Sequence, residues 1–525
     1  MVTKAQGIEE EQGTHPIGQM DGTTSSQRLP PCHMRRTRSG RIRSCVKGLS
    51  ETEPLKEELV PRLAHGLDSV LFESEPQFLK DPSTGAYNFD PWLKNICQPE
   101  DFDYDVLPAY MIASEDKALL DAARKHDKKY VSSTSSFTGI LAKMYLLISH
   151  HKPIDKSSFS ASFETQPSFL TSSSRAPTSV ILRHVNGTYA IDSEKSNKEW
   201  NILQILGKSM EKMLTAAPEE FDLCRKENSH KLTEEMKDKD YHRFAKVEQF
   251  LLRAQIDCYH PDLPHKTFDL KTRATLAVRM NPATCKENLD YKLNLLRGDI
   301  LSFEREDFDM LRSAMLKYSF QVRIGGMDGV FVCYHNTDEV FGFQYLPLTK
   351  MDQQLFGNSL FAQQAFALSV KVCQMVFDRV TKDFPGQSLR ITIGQQKPIF
   401  QFEPLAILVD PITELNTAID SPPSPNLTQY DLSCISRINR SYVTPTITSP
   451  ADEWSLDCTF HKANVSRGSL LRTYKYMREN AANLGLQENN TNQRFINEVR
   501  EMAGLPKHQR QSTITASPED EKLRD

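Results

Sequence analysis

Hydrophobic and polar residues alternate along the chain in two periods, and these periods predict both helices and strands. Apolar positions recur at helical spacing in 116–130, 201–215, 303–323 and 363–384, so each of these segments predicts an amphipathic helix. Shorter runs rich in β-branched and aromatic residues lie between them. The resulting order is hairpin, helix, strand, strand, helix, hairpin, helix, strand. It predicts a mixed α/β fold in which one sheet is flanked by helices.

Two connections in this pattern predict pairs of antiparallel strands. In 179–192, β-rich runs flank Asn186-Gly187, a dipeptide that suits a type I′ turn. Around 242–252 the pattern predicts a short helix that leads into a strand. Pro261 and Pro264 then lie in a tight connection to the next strand, where prolines are expected. We therefore expect the two strands on either side of this connection to be neighbours.

The ends of the chain and one internal segment lack apolar periodicity. Residues 1–60 and 506–525 are polar and predict disorder, and the Arg- and Ser-rich part of the first segment suits either a targeting signal or a basic arm. Residues 411–465 are rich in Pro, Ser, Thr and Asn, which predicts a long linker. The segment 466–505 predicts helices. Residues 61–410 are therefore the expected catalytic or binding domain.

Composition narrows the classes of function. The formal net charge is −4, so a nucleic-acid groove would have to be a local basic surface. The 10 cysteines include no CxxC pair and no His/Cys cluster at zinc spacing, which favours a reducing compartment and argues against a structural zinc site. No phosphate-binding GxxxxGK[ST], GxGxxG, GxSxG or HExxH motif is present in the sequence.

The candidate chemistry lies in Asp269-Leu270-Lys271 and in the preceding strand, which carries Asp257. Side chains two residues apart on a strand point to the same face, so Asp269 and Lys271 would lie side by side. Carboxylates are the ligands that Mg²⁺ prefers, and a lysine can orient or help to deprotonate an attacking water. Glu211, on the helix 201–215, is the third candidate acid. A D/E-x-K triplet also arises by chance, so the alternative is that Asp257, Asp269 and Lys271 lie on a surface strand with alternating charges. For Glu211 the alternative is an ordinary solvated glutamate.

Basic and amide side chains near these positions are candidates for contacts with a phosphate backbone. Arg273 lies on the Asp269 strand, Gln321 and Arg323 lie on the helix 303–323, and Arg175 lies in a Ser-rich loop. Each of them could equally be a solvated or packed side chain.

Many blocks of the sequence, in the same order, resemble the fungal PET family of mitochondrial RNA-processing proteins. The resemblance covers about residues 70–410 and includes AYNFDPWL, SSRAPTSVILR, ILGKSMEKML, FLLRAQIDCYHPDLP and FDLKTRATLAVRM. That family is similar to a divergent branch of the PD-(D/E)xK nuclease superfamily. The resemblance therefore implies a restriction-endonuclease-like core, with a mixed sheet flanked by helices and with helical N- and C-terminal additions.

The resemblance also implies site residues and a function. Asp257 and Asp269 match the metal-binding acids, and Lys271 and Glu211 match the catalytic lysine and the helix acid. It implies a Mg²⁺- or Mn²⁺-dependent ribonuclease in 5′-end processing and degradation of mitochondrial RNA, acting 5′ to 3′ as an exonuclease. It further implies a location on the matrix side of the mitochondrion with peripheral inner-membrane association, and RNA degradation or transcription machinery as partners. A non-catalytic RNA-binding and stability factor that keeps the nuclease fold is the alternative.

Overall fold

The computed structural model describes residues 40–43, 49–51, 59–194, 202–233, 236–237, 239–395, 403–413, 421–442, 445, 449–483 and 488–507. The strands are β1 (Gly40–Arg43), β2 (Ser50–Glu51), β3 (Gln77–Phe78), β4 (Tyr130–Ser133), β5 (Thr178–Val185), β6 (Thr188–Ser193), β7 (His242–Val247), β8 (Phe250–Gln255), β9 (Cys258–Tyr259), β10 (Thr267–Ala274), β11 (Gly329–His335), β12 (Val340–Pro347), β13 (Leu389–Gly394), β14 (Leu405–Pro411), β15 (Thr428–Ile438), β16 (Ser441–Tyr442) and β17 (Trp454–Lys462).

The helices lie between and after these strands. They are α1 (Lys117–Lys125), α2 (Thr134–Ile148), α3 (Ser172–Arg175), α4 (Ile202–Thr215), α5 (Pro218–Asp222), α6 (Leu276–Met280), α7 (Phe303–Ser313), α8 (Met315–Gly325), α9 (Leu348–Phe356), α10 (Ser359–Asp383), α11 (Arg467–Asn483) and α12 (Glu488–Met502). Short 3-10 segments occur at Leu67–Phe72, Pro91–Lys94, Tyr104–Val106, Ala161–Phe163, Ser229–Lys231 and Pro282–Asn288.

A large mixed sheet forms the centre of the molecule, with the strand order β1-β17-β15-β14-β13-β5-β6-β4-β8-β7-β2. Strand β4 runs parallel to both of its neighbours, β6 and β8. Alternate side chains of β4 point to opposite faces. The Tyr130 ring packs on Phe377 of α10, whereas Val131 packs in a separate cluster with Leu119 of α1. Helices therefore cover both faces of this sheet.

A second sheet, in the order β3-β12-β11-β10-β9, carries the segment with Asp269. Strands β10 and β11 are parallel, and β9 pairs antiparallel with the start of β10. The apolar side of α4 packs on one face of this sheet. Helix α8 packs on the other face and also contacts β7 and β8 of the large sheet. The sheet that carries the candidate site is thus enclosed between two helices.

The structure confirms the prediction of a mixed α/β fold with helices flanking the sheet, although the described residues form two sheets where the sequence suggested one. The hairpin of β5 and β6 is confirmed as well. Asn186 and Gly187 have φ values of 49° and 87°, and two successive positive φ values are what a type I′ turn requires.

Two local predictions are wrong. The segment 242–252 is not a helix, because β7 and β8 form a hairpin in which burial alternates from residue to residue along β7. The predicted helix 303–323 is divided into α7 and α8, because Ala314 leaves the helical region with φ −124° and ψ −31°. That break orients α8 independently of α7, and α8 is the helix that faces the candidate site.

The predicted domain boundaries also need correction. The predicted linker 411–465 contains β15, β16 and β17, and Trp454 on β17 is fully buried. Within the predicted disordered segment 1–60, β1 pairs with β17 and β2 pairs with β7. Residues 1–39, 44–48 and 52–58 lie outside the described part of the chain. The large sheet therefore extends beyond 61–410 in both directions. Helices α11 and α12 lie within 466–505.

Helix α10 is long and apolar enough to cross a membrane by length and composition, but 67% of its most apolar window is buried inside the fold. It packs against α2 and the large sheet, so its apolar character is accounted for by the core.

Candidate active site

The candidate site lies where the chain passes from the large sheet to the small one. Strand β8 ends at Gln255, and β9 begins at Cys258, so Asp257 lies in the crossing. Strand β9 pairs only with Thr267 and Phe268, so the adjacent edge of β10 is open further along. The backbone N–H of Leu270 donates a hydrogen bond of 2.9 Å to Asp257 Oδ2 at this open edge. The short β9 thus places the Asp257 carboxyl beside Asp269.

Alternation along β10 separates apolar from functional side chains. Phe268 and Leu270 are buried in the cluster that α4 covers. On the other face, Asp269 is completely buried, and its Oδ1 accepts a hydrogen bond of 2.8 Å from Gln321 Nε2 on α8. Lys271 Nζ lies 2.5 Å from Asp269 Oδ2 and donates to the carbonyl oxygen of Leu270 at 2.9 Å. The Asp269 carboxyl is therefore fixed by a hydrogen bond from α8 and by an ion pair with a residue of its own strand.

Glu211 on α4 lines the same cavity as Asp257, and its carboxyl is close enough to interact with the charges of Asp257, Asp269 and Lys271. Burial raises the pKa of the Glu211 carboxyl to about 8, and the carboxyls of Asp257 and Asp269 add to this shift while Lys271 opposes it. Burial likewise raises the pKa of Asp269 to about 8; Lys271 opposes that shift and Asp257 reinforces it. Burial alone would lower the pKa of Lys271, but Asp269, Asp257 and Glu211 together raise it above its usual value.

We define Glu211, Asp257, Asp269 and Lys271 as the carboxyl cluster. It contains three acids and one ammonium, and Asp269 Oδ2 is buried without a hydrogen bond despite its ion pair with Lys271. Carboxyl oxygens are the ligands that Mg²⁺ and Mn²⁺ prefer, and a bound cation would favour the ionised form of these buried carboxyls, so the chemistry of the residues fits the predicted metal. In the part of the chain that the structure describes, no group of three or more His, Cys, Asp or Glu side chains is arranged to hold a metal ion.

A cavity of about 1010 Å³ opens onto the carboxyl cluster. Glu211, Asp257 and Gln321 line one part of it, and the hydroxyl side chains of Ser133, Thr134 and Ser135 at the start of α2 line another. Lysines also lie along its wall, at positions Lys208, Lys212, Lys237 and Lys239. The cavity is large enough for a substrate that carries several chemical groups. Its lysines would attract a substrate with negative charge. These lysines were not predicted as site residues, because their signal in the sequence is only their spacing on and after α4.

The structure places the four predicted nucleic-acid contacts in different surroundings. Gln321 lines the cavity, whereas Arg175, Arg273 and Arg323 do not. Arg273 is buried, with Nη1 3.5 Å from Ser313 Oγ. Arg323 Nη2 lies 2.5 Å from Asp352 Oδ1, and both side chains are almost fully buried. Positions 321 and 323 point to opposite sides of α8, so Arg323 is engaged in an internal ion pair and not directed at the site.

Comparisons with known proteins agree with the resemblance found in the sequence. The profile of the family described as mitochondrial protein Pet127 matches residues 110–378, slightly more than half of the chain. The chain is 36% identical to an mRNA degradation protein, pet127, of Schizosaccharomyces pombe mitochondria, over 68% of this chain and 70% of that one. It is 37% identical to PET127 of Saccharomyces cerevisiae, described as a candidate mitochondrial translation system component, over 56% of this chain and 37% of that protein.

Among solved structures, similarity is found to Candida albicans Rai1 in complex with pU5 and Mn²⁺. The TM-score is 0.33 and the identity 10%, over 65% of this chain and 89% of Rai1. These values are too low to relate the site of this chain to that of Rai1. The family assignment rests on the sequence comparisons: this chain belongs to the Pet127 family of mitochondrial proteins.

Proposed function

We propose that this protein is a divalent-metal-dependent ribonuclease that processes and degrades mitochondrial RNA. The observation that carries the proposal is the convergence of Glu211, Asp257, Asp269 and Lys271 beside a cavity of about 1010 Å³. Strongly shifted pKa values of acids in a cleft are typical of functional sites. The name of the fission yeast relative, an mRNA degradation protein, supports RNA as the substrate.

The side chains of the cluster suit separate tasks. Asp257 and Asp269, together with Glu211, would hold Mg²⁺ or Mn²⁺. A cation bound there would supply Lewis acidity to a phosphodiester oxygen. Lys271 lies among the three carboxyls, which stabilise its ammonium form, so it would orient water or a phosphate oxygen as a cation. Gln321 keeps the Asp269 carboxyl in place through the hydrogen bond to Oδ1.

One observation favours the alternative, a non-catalytic RNA-binding and stability factor. The Lys271 ammonium lies on the Asp269 oxygen that a metal would use, and no metal-holding group of three ligands is formed among the described residues. A protein that uses this cluster only for stability would keep this ion pair permanently.

The test uses the full chain with RNA labelled at the 5′ end and, separately, at the 3′ end. Each RNA is incubated with Mg²⁺, with Mn²⁺ and with chelator. We expect metal-dependent cleavage by the wild type and none by Asp269→Asn, which keeps size but removes the charge. Asp338→Asn, at an exposed aspartate outside the cluster, serves as the control. Equal behaviour of wild type and Asp269→Asn, with RNA binding retained, would establish the non-catalytic alternative.

The same labelled RNAs test directionality. We propose 5′-to-3′ exonucleolytic action, for which the 5′ label is released first as mononucleotide while the 3′-labelled RNA shortens progressively. Location on the matrix side with peripheral inner-membrane association, and contact with RNA degradation or transcription machinery, are further parts of the proposal. Release of the protein from mitochondrial membranes by high salt or alkaline carbonate, together with the partners that co-purify with it, tests them.

A further inference from the structure

Helix α8 connects the carboxyl cluster to a second group of charged side chains. Gln321 contacts Asp269 from this helix, and Lys317 lies four residues earlier. Side chains four apart on a helix are neighbours on one face, with Cβ atoms ~6 Å apart. Lys317 is an exposed residue and lies beside the face of α8 that meets the carboxyl cluster.

Lys143 on α2 lies near Lys317 and is only 6% exposed. Its Nζ donates a hydrogen bond of 2.6 Å to the carbonyl oxygen of Ser174, the residue before Arg175. Ser174 Oγ in turn donates to the carbonyl oxygen of Ser313 at 2.7 Å, at the junction of α7 and α8. These contacts bring Lys143, Arg175 and Lys317 together from three different helices, and we call them the basic cluster.

Among the described residues, the charged groups that shift the pKa of Lys143 are the other two members of the basic cluster, and both are positive. Burial, together with the charges of Lys317 and Arg175, lowers the pKa of Lys143 to about 7. Burial and the nearby Arg312 lower the pKa of Arg175. Glu403 is the acid that lines the small cavity beside Lys143 and Arg175. Cations that lie this close repel one another, and an anion bound between them would offset the repulsion.

Unused hydrogen-bonding groups point into the same small cavity. The Nε of Arg175 is buried without a hydrogen-bond partner, and so is the Nδ1 of His151, a residue that is 8% exposed. Both side chains line this cavity, whose volume of about 10 Å³ suits one water or one oxygen atom of a larger anion. The surroundings therefore fit one oxygen of a phosphate group.

We propose that Lys143, Arg175 and Lys317 form a phosphate-binding site that holds the RNA backbone next to the phosphate at the carboxyl cluster. The identity of the ligand as RNA rests on the proposed function. Backbone phosphates are bound mainly by lysine and arginine, and such contacts fix the register of the strand. The arrangement on α8 favours RNA over a membrane lipid, because the same helix face leads directly to the carboxyl cluster.

The test measures binding without cleavage. A fluorescent single-stranded RNA is titrated with the full chain in chelator over a series of salt concentrations, for wild type, Arg175→Ala and Lys317→Ala. Lys475→Ala, which removes a lysine that is 76% exposed on α11, is the matched control. We expect each test variant to weaken binding by about fivefold to tenfold and to lower the slope of log K against log salt by ~0.7. The control should show neither change.

Three results separate the explanations. An unchanged salt slope in both test variants, with circular dichroism and thermal melting as in the wild type, overturns the proposal. Loss of binding to vesicles that contain anionic phospholipid, with RNA binding intact, overturns it in favour of a lipid site. Weakened RNA binding supports it even if the wild type fails to cleave RNA with Mg²⁺ or Mn²⁺, and that failure would count only against the proposed nuclease activity.

Discussion

Gln321 Nε2 donates a hydrogen bond of 2.8 Å to Asp269 Oδ1, and this contact ties α8 to the carboxyl cluster. Because the amide occupies Oδ1, the other oxygen of Asp269 is directed toward Lys271. The geometry of the cluster therefore depends on a side chain that is neither an acid nor a base.

Replacing this amide tests its role as a positioning residue. We expect Gln321→Leu to lower the rate of RNA cleavage at saturating metal by about tenfold, because Asp269 loses the contact that fixes its orientation. RNA affinity measured in chelator should change little. Gln353→Leu, an exposed glutamine on α9, is the control. Equal losses of cleavage and RNA affinity would mean that Gln321 acts mainly as an RNA contact.

Lys271 and a metal ion are expected to compete for Asp269. Lys271→Met removes the ammonium that lies 2.5 Å from Asp269 Oδ2, so we expect tighter binding of Mn²⁺ by calorimetry and, at the same time, loss of RNA cleavage. Without metal the variant should be less stable by about 3 kcal/mol, because a buried carboxyl loses its partner. Lys271→Arg, which keeps the charge, should bind Mn²⁺ like the wild type. Weaker Mn²⁺ binding by Lys271→Met would contradict the competition.

The buried Lys143 predicts how stability depends on pH. Its pKa is about 7 in the folded protein, below the usual value of 10.5, so between these values the unfolded chain binds more protons than the folded one. The free energy of unfolding should therefore rise with pH in this window, by at most about 1.4 kcal/mol per pH unit from this group. Below pH 7 both states carry the proton and the contribution no longer changes.

Comparison of the wild type with Lys143→Met isolates this contribution, since the other titrating groups are common to both. Urea unfolding at pH 6, 7, 8 and 9 should show the wild type gaining stability relative to Lys143→Met above pH 7. The charges that face Lys143, from Lys317 and Arg175, remain in both proteins. A constant difference at all four pH values would show that Lys143 keeps its proton in the folded state.

The carboxyl cluster could be predicted from the sequence because its members follow local rules. Asp269 and Lys271 share a strand face by period two, and the proline-containing connection brings Asp257 next to them. The partners of the arginines could not be predicted in this way. Arg323 lies near Gln321 in sequence, but it pairs with Asp352 on α9, and that contact depends on how two helices pack. Strands β15 and β17 were not predicted, because the segments beside them are rich in Pro and Ser and made the whole region read as a linker. Within each strand, buried and half-buried positions alternate as in a strand at the edge of a core.

Replacement of Arg323 should lower the stability of the fold and leave RNA binding unchanged. Arg323→Met should lower the free energy of unfolding by about 3–5 kcal/mol, because it leaves the carboxyl of Asp352 buried without its cation. Arg323→Met combined with Asp352→Asn should recover part of this loss, since the uncompensated charge is removed as well. RNA affinity of the folded variants, measured at low temperature in chelator, should match the wild type. A specific loss of RNA affinity would restore Arg323 as an RNA contact.

Trp454 tests whether the C-terminal strands belong to the same core as the candidate site. Its ring is fully buried and stacks on Phe361 of α10 with centroids 4.7 Å apart, and its Nε1 donates to Ser436 Oγ at 3.1 Å. Trp454→Ala should therefore lower the free energy of unfolding by about 3–5 kcal/mol. Tyr476→Ala, an aromatic that is 37% exposed on α11, should change it by less than about 1 kcal/mol. If 411–465 were a linker, the two variants would unfold at the same urea concentration. A single cooperative transition, shifted only in Trp454→Ala, is the result that the packing of β17 against α10 requires.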